Sequence, residues 1–318
     1  MKIVVLDKIT LGNDLDYSVL YKFGDVVLNS VCTEADMERL VADADITVSN
    51  KPRYHAETLK NAKNLKLICL TATGYDNCDI SYLKERGIAL CNIPSYSTDS
   101  VAQHVFAMLF QYMEKINEFE KLVRTRSYVD QDLYGMVPTR FFELRGKTWG
   151  IIGFGKIGKR VAEIASVFGC KVIYYSTSGK NDDKQYRKVS LDTLLADSDI
   201  ISIHAPLNKE TKDLITKKEL NKMKSSACLI NVGRGGIVNE ADLAEALKKK
   251  EIGGACIDVF EKEPIQPASP YLGLNDYSNL ILTPHIAWSA IESRQRAINE
   301  CAENIRAFLK GEERNRVI

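Results

Sequence analysis

The sequence predicts an α/β fold built from two doubly wound parallel-sheet domains. Short apolar runs alternate with amphipathic helical stretches from one end of the 318-residue chain to the other, which is the pattern of strand–helix–strand units. One long helical stretch, 98–122, separates an earlier series of apolar runs from a later one. A chain of this length is sufficient for two domains of ordinary size.

The two series of apolar runs define the predicted domains. The first domain, 1–97, has a helical pattern at 34–41 and candidate strands at 3–6, 45–49, 65–70 and 88–91. The second domain, 98–286, opens with the helix 98–122, for which Ser97 and Thr98 are candidate capping residues. Its candidate strands are 148–152, 171–175, 200–204, 228–232, 254–258 and 280–283. The remaining segment, 287–318, has a helical pattern at 289–309 and is predicted to return to the first domain.

Composition limits the partners that we expect. The chain has 43 Lys and Arg against 42 Asp and Glu, and this balance argues against nucleic acid and anionic membranes as partners. No apolar run approaches the roughly 20 residues of a membrane helix, and residues 1–7 indicate a strand rather than a signal peptide. We therefore expect a cytoplasmic protein.

The cysteines and histidines point to no metal. The eight cysteines form no Cys-x-x-Cys pair, and several lie in apolar runs, so reduced and mostly buried thiols are expected. The four histidines lack the spacing of metal ligands, and no metal is predicted.

The strongest local motif is a glycine-rich turn between two candidate strands. Gly153, Gly155 and Gly158 follow the strand 148–152 as Gly-x-Gly-x-x-Gly and lead into a helical pattern. Gly153 permits a tight turn, Gly155 allows a pyrophosphate to approach the backbone, and Gly158 allows close helix–strand packing. A tight turn without a ligand is the alternative, but the strand–turn–helix context favours a Rossmann dinucleotide site.

Four charged or polar side chains follow later candidate strands. Arg234 lies between glycines after 228–232, Asp258 ends the candidate strand 254–258 and Glu263 follows it, and His285 follows 280–283. Considered one at a time, such residues are more often surface ion-pair partners or solvated charges. Because ligands of open α/β sheets bind at the carboxyl edge, the ordered set instead predicts one site there.

These motifs resemble those of the D-isomer-specific 2-hydroxyacid dehydrogenase family, and the resemblance covers essentially the whole chain. The matching segments are the glycine-rich turn, 204–207, 231–235, 258–264 and 283–285. The resemblance implies a Rossmann dinucleotide-binding domain inserted into a flavodoxin-like substrate domain. It also implies an NAD(P)-dependent oxidoreductase for a small 2-keto or D-2-hydroxy acid, paired as a homodimer through its cofactor domain.

The chemistry of the reaction supports three catalytic assignments. A guanidinium can hold a substrate carboxylate by two hydrogen bonds, which suits Arg234. Protonated His285 can supply the proton that the keto oxygen needs. Glu263 can bond the other ring nitrogen and favour the charged imidazolium.

The resemblance extends to binding residues. It places the backbone of Thr73 and Gly74 on the substrate carboxylate and Asp258 at the nicotinamide end of the cofactor. Further cofactor residues are expected at Lys156, Ile157, Val232 and Gly233. His204 is expected to shape the cofactor site or to fill a strand end, whereas structural roles are favoured for His55 and His104.

Within the family, segments 72–77 and 285–288 are most similar to glycerate dehydrogenases, also called hydroxypyruvate reductases. D-lactate or a bulkier D-2-hydroxy acid remains an alternative, and Tyr75 is a candidate for narrowing the pocket. A dinucleotide-sensing interaction protein similar to the C-terminal-binding-protein corepressors is a second alternative. Formate dehydrogenases of the same superfamily have Gln where this chain has Glu263, which disfavours that activity.

The choice of nicotinamide depends on the end of the second strand of the cofactor domain. NAD-selective Rossmann domains have an acid about 20 residues after the glycine-rich turn. This chain has Ser176 there, followed by Thr177, and no acid before Asp182. The hydroxyls together with Lys180 could bind a 2′-phosphate, so we expect NADP to be accepted or preferred over NAD. Alternatively, Ser176 bonds an unphosphorylated ribose and Lys180 points into water.

Overall fold

The computed structural model of the chain describes residues 1–125, 128–129, 140–274 and 279–318. These residues form two compact units. We call residues 1–97 with 288–318 the discontinuous unit, and residues 98–287 the continuous unit. Each unit contains one sheet in which all the pairings are parallel.

The strands, in chain order, are β1 (Lys2–Val5), β2 (Asp25–Leu28), β3 (Ile46–Ser49), β4 (Leu67–Leu70), β5 (Ala89–Cys91), β6 (Thr148–Ile152), β7 (Lys171–Tyr175), β8 (Arg187–Lys188), β9 (Ile200–Ile203), β10 (Cys228–Asn231), β11 (Gly254–Ile257) and β12 (Leu280–Leu282). The α-helices are α1 (Lys8–Leu11), α2 (Glu34–Leu40), α3 (Ile80–Glu85), α4 (Thr98–Glu114), α5 (Ile116–Arg124), α6 (Lys156–Val167), α7 (Leu191–Asp197), α8 (Lys217–Leu220), α9 (Glu240–Lys248) and α10 (Ile291–Leu309). Three short 3-10 segments lie at Ser18–Phe23, Gly235–Ile237 and Leu272–Leu274.

The sheet of the discontinuous unit has the strand order β2-β1-β3-β4-β5, the order of flavodoxin-like folds. Its inner strands β3 and β4 are buried at every residue, which is typical of a sheet covered on both faces. Helix α10 covers one face through Ala297, Ile298 and Cys301, whereas α2 and α3 contribute to the core on the other. Edge strand β2 was not predicted; its residues alternate between exposed and half-buried, although Val26, Val27 and Leu28 are apolar.

The sheet of the continuous unit has the order β12-β11-β10-β9-β6-β7-β8 in the described part of the chain. Strand order reverses between β6 and β9, the point where a Rossmann sheet binds its ligand. All six predicted strands are present, and β8 is added to them. The two residues of β8, Arg187 and Lys188, are both exposed, so apolar patterning has no signal there.

The helix predicted over 98–122 is interrupted. Helix α4 ends at Glu114, Lys115 takes a left-handed conformation with φ 54°, and α5 begins at Ile116. Helix α4 buries seven side chains against the sheet and α6, whereas α5 buries none. The two segments therefore differ in environment, and the left-handed residue redirects the chain between them.

Burial accounts for most of the cysteines. All eight are free thiols, and six of them are buried, with Cys32 and Cys78 half-buried. Within the described ranges, no group of three or more His, Cys, Asp or Glu side chains is arranged to hold a metal ion. None of the described helices is long and apolar enough to cross a membrane.

Candidate active site

The glycine-rich turn lies against the end of β9. Gly153 has φ 89°, and a Cβ atom added to it would lie 2.6 Å from the backbone nitrogen of Ala205. A Cβ on Gly158 would lie 2.4 Å from the carbonyl oxygen of Gly153. Because both distances are far below van der Waals contact, only glycine allows β6, α6 and β9 to meet this closely.

The space around Gly155 fits a dinucleotide pyrophosphate. A Cβ added to Gly155 would meet nothing within 4 Å, so this residue faces open space. Gly155 is also the N-cap of the 12-residue helix α6, which has no side-chain cap and no acid in its first turn. Lys156 and Ile157 are the first two residues of this helix. Helix N–H groups with a partial positive charge therefore adjoin open space, as an anion site requires.

His204 presents a buried polar atom beside this turn. Trp149 Nε1 donates to Ser202 Oγ over 2.9 Å, and Ser202 Oγ lies 2.9 Å from His204 Nε2. An indole N–H can only donate, so Ser202 Oγ accepts from Trp149, whereas the direction of the bond to His204 depends on the tautomer of the ring. Nδ1 is buried and has no partner among the described residues. Burial lowers the pKa of His204 to about 3, so the ring is neutral.

The residues expected near the adenosine ribose lie at the end of β7. Ser176 is 5% exposed, and its hydroxyl accepts from the N–H of Asn181 over 3.2 Å. Thr177 is half-buried and Lys180 is exposed. The first acid of this loop, Asp182, pairs with Lys188 at 2.8 Å.

His285 and Glu263 form a close pair. His285 Nδ1 lies 2.6 Å from Glu263 Oε2, and the other carboxylate oxygen accepts the Phe260 N–H over 3.1 Å. The two side chains are 26% and 30% exposed, so both can be reached by a substrate. A carboxylate only accepts, and it therefore keeps a proton on Nδ1 and orients the ring.

The backbone of His285 is unusual. Its φ is 54°, a left-handed conformation that costs a non-glycine residue about 1–2 kcal/mol. Its N–H donates to the carbonyl oxygen of Asp258 over 2.7 Å. The surrounding hydrogen bonds therefore hold a conformation that the residue does not itself favour.

The buried carboxylate of Asp258 holds the loop 283–287 by hydrogen bonds. It is fully buried, and one oxygen accepts from the Thr283 hydroxyl at 2.6 Å and the Ile286 N–H at 2.9 Å. The other oxygen accepts from the Ala287 N–H at 3.0 Å. The protein itself thus bonds both carboxylate oxygens, and contact of Asp258 with a nicotinamide stays a prediction.

Arg234 is held by the loop after β10. Asn231, 1% exposed, donates to the Arg234 carbonyl over 2.9 Å and accepts the Gly233 N–H over 3.1 Å. Beyond it, a Cβ on Gly235 would lie 1.9 Å from the carbonyl carbon of Phe260. This close approach brings the Arg234 loop beside the segment that carries Glu263. The half-buried guanidinium forms no ion pair within the described parts of the chain.

Thr73 and Gly74 belong to the discontinuous unit, after β4. The Thr73 side chain donates to the Ile93 carbonyl at 3.1 Å, and Asn92 donates to the Thr73 carbonyl at 2.7 Å. Neither the Thr73 nor the Gly74 N–H donates a hydrogen bond inside the described ranges. Both N–H groups are therefore available to a ligand of this unit, and their contact with a substrate carboxylate stays a prediction. Tyr75 next to them is 40% exposed.

The structure brings some predicted residues together and adds others. Arg234, Glu263, His285 and Asp258 lie on three neighbouring loops of one unit, after β10, β11 and β12. Val232 and Gly233 belong to the first of these loops. Sequence reasoning gave no role to Asn231, Ser202 or Thr283. Ser202 and Asn231 are buried polar residues in otherwise apolar strands, a pattern that marks them as bonded but does not say to what; Thr283 is half-buried and has no such signal.

Comparison with known proteins identifies the family. Residues 106–287 match the family model described as "D-isomer specific 2-hydroxyacid dehydrogenase, NAD binding domain". The chain is 36% identical to the hydroxypyruvate reductase of Blautia hydrogenotrophica, with 98% of each chain covered. It is 34% identical to the glycerate dehydrogenase of Methylorubrum extorquens, with 99% of this chain and 98% of the other covered.

Solved structures agree with these relatives. An acyclic imino acid reductase in complex with NADPH and D-Arg has a TM-score of 0.87 and 33% identity, with 100% of each chain covered. The D-lactate dehydrogenase of Aquifex aeolicus, complexed with NAD and lactic acid, has a TM-score of 0.83 and 29% identity, with 98% of this chain and 96% of the other covered. The chain is therefore an oxidoreductase that belongs to the D-isomer-specific 2-hydroxyacid dehydrogenase family.

Proposed function

We propose that this enzyme uses a nicotinamide cofactor to interconvert hydroxypyruvate and D-glycerate. The observation that carries the proposal is the 2.6 Å contact between His285 and Glu263. Glu263 lies on the loop after β11, which neighbours the loop of Arg234 after β10. This arrangement combines a positioned proton donor with a carboxylate-binding cation, the two groups that 2-keto acid reduction requires of the protein. The substrate follows the names of the two full-length relatives.

Each residue has a separate task in the proposed reaction. Bound NAD(P)H supplies the hydride that the keto carbon accepts. Glu263 keeps a proton of His285 on Nδ1 and orients the ring, and the proton on Nε2 of the doubly protonated ring passes to the keto oxygen. Arg234 donates two parallel hydrogen bonds to the substrate carboxylate.

A substrate panel tests the proposal. Hydroxypyruvate, glyoxylate, pyruvate and phenylpyruvate are assayed by nicotinamide absorbance, and hydroxypyruvate should give the highest kcat/KM. A higher value for pyruvate or phenylpyruvate would assign the enzyme to D-lactate or to a bulkier D-2-hydroxy acid. Because one relative is an imino acid reductase, the panel is repeated with each keto acid plus an amine. No turnover of any compound, with cofactor bound, would leave the dinucleotide-sensing alternative.

For the cofactor, we propose that NADPH is accepted or preferred over NADH. The support is that residues 176–181 contain no acid and that the cation Lys180 is exposed on the same loop. Ser176→Asp should raise the KM for NADPH far more than the KM for NADH, because the new charge repels the phosphate. Lys180→Ala is the companion variant and should weaken NADPH alone. A wild-type enzyme that uses NADH efficiently and ignores NADPH would contradict the preference.

We also propose a homodimer formed through the continuous unit. A surface groove between α4 and α6 is lined by apolar side chains that include Phe106, Phe110, Ile164 and Phe168. Phe168 is 44% exposed and neighbouring Val167 is 88% exposed. Apolar surface of this kind favours burial against a partner. Light scattering should give twice the mass of one chain, and Phe168→Glu should yield monomers; a monomeric wild type at micromolar concentration would contradict the proposal.

Cytoplasmic location stays a prediction for fractionation to test.

A further inference from the structure

One face of α4 contacts the segment that carries His285. Ser100, His104 and Met108 are spaced by four residues, so they lie in a row along the helix. Ser100 donates to the carbonyl of Ala287 over 2.7 Å, and the Thr283 hydroxyl lies 3.7 Å from the sulfur of Met108. His104 lies between them, with Nε2 at 3.0 Å from Thr283 Oγ1. The helix thus reaches both ends of the loop 283–287.

The directions of these hydrogen bonds can be assigned. Thr283 has one hydroxyl proton, which goes to the carboxylate of Asp258 at 2.6 Å rather than to the distant sulfur. The hydroxyl oxygen can then only accept from His104, so the proton of His104 is on Nε2. Burial lowers the pKa of His104, against an opposite effect of Asp258, so the ring is neutral and has this single N–H.

The result is a directed chain from α4 to the catalytic loop. His104 donates to Thr283, Thr283 donates to Asp258, and Asp258 accepts from the backbone of Ile286 and Ala287. His104 Nε2 also lies 3.6 Å from the same oxygen of Asp258. Since the His285 backbone is left-handed, its orientation depends on these bonds more than on its own preference.

We propose that His104 is a positioning residue that orients His285 through Thr283 and Asp258. His104 contacts neither His285 nor Glu263. It acts by fixing, through Thr283, the carboxylate of Asp258 that accepts from the backbone of the loop 283–287. The inference rests on the proposed role of His285 for its effect on turnover, but its effect on the His285 side chain is independent of any substrate.

The test uses two substitutions and one control. His104→Leu removes the N–H donor, and His104→Gln keeps an N–H donor at similar reach. His55→Leu is the control, because His55 forms its own 2.8 Å contact with Glu34 in the discontinuous unit. The ring nitrogen resonances of His285 are measured by NMR in the cofactor-free protein, and kcat and the NADH and NADPH dissociation constants are measured separately.

We expect His104→Leu to shift the His285 resonances and to lower kcat by roughly 10- to 100-fold, the scale of a small misplacement of a reacting group. The cofactor dissociation constants should stay within about twofold, since the glycine-rich turn is untouched. His104→Gln should recover most of both effects, and His55→Leu should show neither. Unchanged His285 resonances in His104→Leu would overturn the proposal, as would equal losses in the Leu and Gln variants.

Thr283→Val supplies the second route if His104→Leu fails to fold. It interrupts the same chain without changing α4, so it should shift the His285 resonances in the same way. When His104→Leu and Thr283→Val both fold, the variant that combines them should lose less activity than the product of the two single losses, because both interrupt one chain. A combined loss equal to that product would overturn the proposal. If the wild-type enzyme turns over no keto acid, the proposed function fails while the resonances still decide this inference.

Discussion

Two loops leave the same edge of the continuous sheet and are built differently. The turn after β6 consists of consecutive residues whose role depends on missing side chains at Gly153, Gly155 and Gly158. The loop after β12 depends on side chains that are present, and its partners Asp258 and Glu263 come from another segment of the chain. The turn is therefore sensitive to added atoms, whereas the His285 loop is sensitive to lost hydrogen bonds.

This contrast separates binding from chemistry. Changes in the turn should act on cofactor affinity, because it faces the space that the pyrophosphate requires. Changes around His285 should act on turnover, because they alter proton donation rather than cofactor binding. Four predictions test that division.

The largest effect is expected from His285→Ala. Loss of the proton donor should lower kcat by roughly 10²- to 10⁴-fold, the usual contribution of a general acid. Cofactor affinity, measured by fluorescence titration, should stay nearly unchanged. Near-wild-type turnover would show that another group donates the proton.

The turn is tested by a pair of alanine variants. Gly153→Ala should lower the free energy of unfolding by about 2 kcal/mol or more, because a left-handed alanine is strained and its Cβ would meet backbone. Gly155→Ala should leave stability without cofactor nearly unchanged, since its Cβ meets nothing, yet weaken cofactor binding. Denaturant unfolding and cofactor titration measure the two quantities. If both variants behaved alike in both measurements, the contrast between packing and ligand approach would be lost.

Glu263→Gln should have a smaller effect on maximal turnover. The amide keeps the size of the side chain but can donate as well as accept, so it no longer fixes the His285 proton on Nδ1. The kcat for keto-acid reduction should therefore fall while the cofactor dissociation constant stays nearly unchanged. Steady-state kinetics and cofactor titration measure the two quantities, and an unchanged kcat would argue against the role assigned to the pair.

The smallest effect concerns the stability of the cofactor-free protein. Burial lowers the pKa of His204 from 6.5 to about 3. Between these two pH values the unfolded chain binds a proton on His204 that the folded chain excludes. Stability from this site is present above pH 6.5 and decreases as the pH falls, by about 2 kcal/mol between pH 7 and pH 5. His204→Gln should show a shallower pH dependence in urea unfolding. An equal slope in both proteins would mean that His204 takes up a proton when folded.

Much of the fold follows from local pattern. Each of the ten predicted strands is present, because buried parallel strands require continuous apolar runs. The edge strands β2 and β8 were missed: the apolar run of β2 has only three residues, 26–28, and β8 consists of two exposed charged residues. The helix interruption at Lys115 was also missed, since apolar spacing continues across it while only α4 has a sheet to pack against.

The candidate site was predictable where residue chemistry is distinctive. Arg234, Glu263 and His285 could be proposed from their types and order, and the family membership agrees with that pattern. The roles of Asn231, Thr283 and Ser202 could not, because small polar residues have many uses. The partners of Thr283 are also distant in sequence, with Asp258 25 residues away and His104 179 residues away. Hydrogen bonds joining Ser100 to Ala287 or His104 to Thr283 span far more chain than any local pattern covers.

The sequence by itself determined the alternation of strands and helices, the glycine-rich turn and the family. Those properties depend on short-range sterics and on burial, which neighbouring residues encode together. Only the tertiary structure decided which side chains share hydrogen bonds: that Asp258 is buried beneath the His285 loop, and that α4 reaches this loop. Such contacts depend on how separate strands pair into one sheet, and strand pairing brings together residues that no local pattern connects.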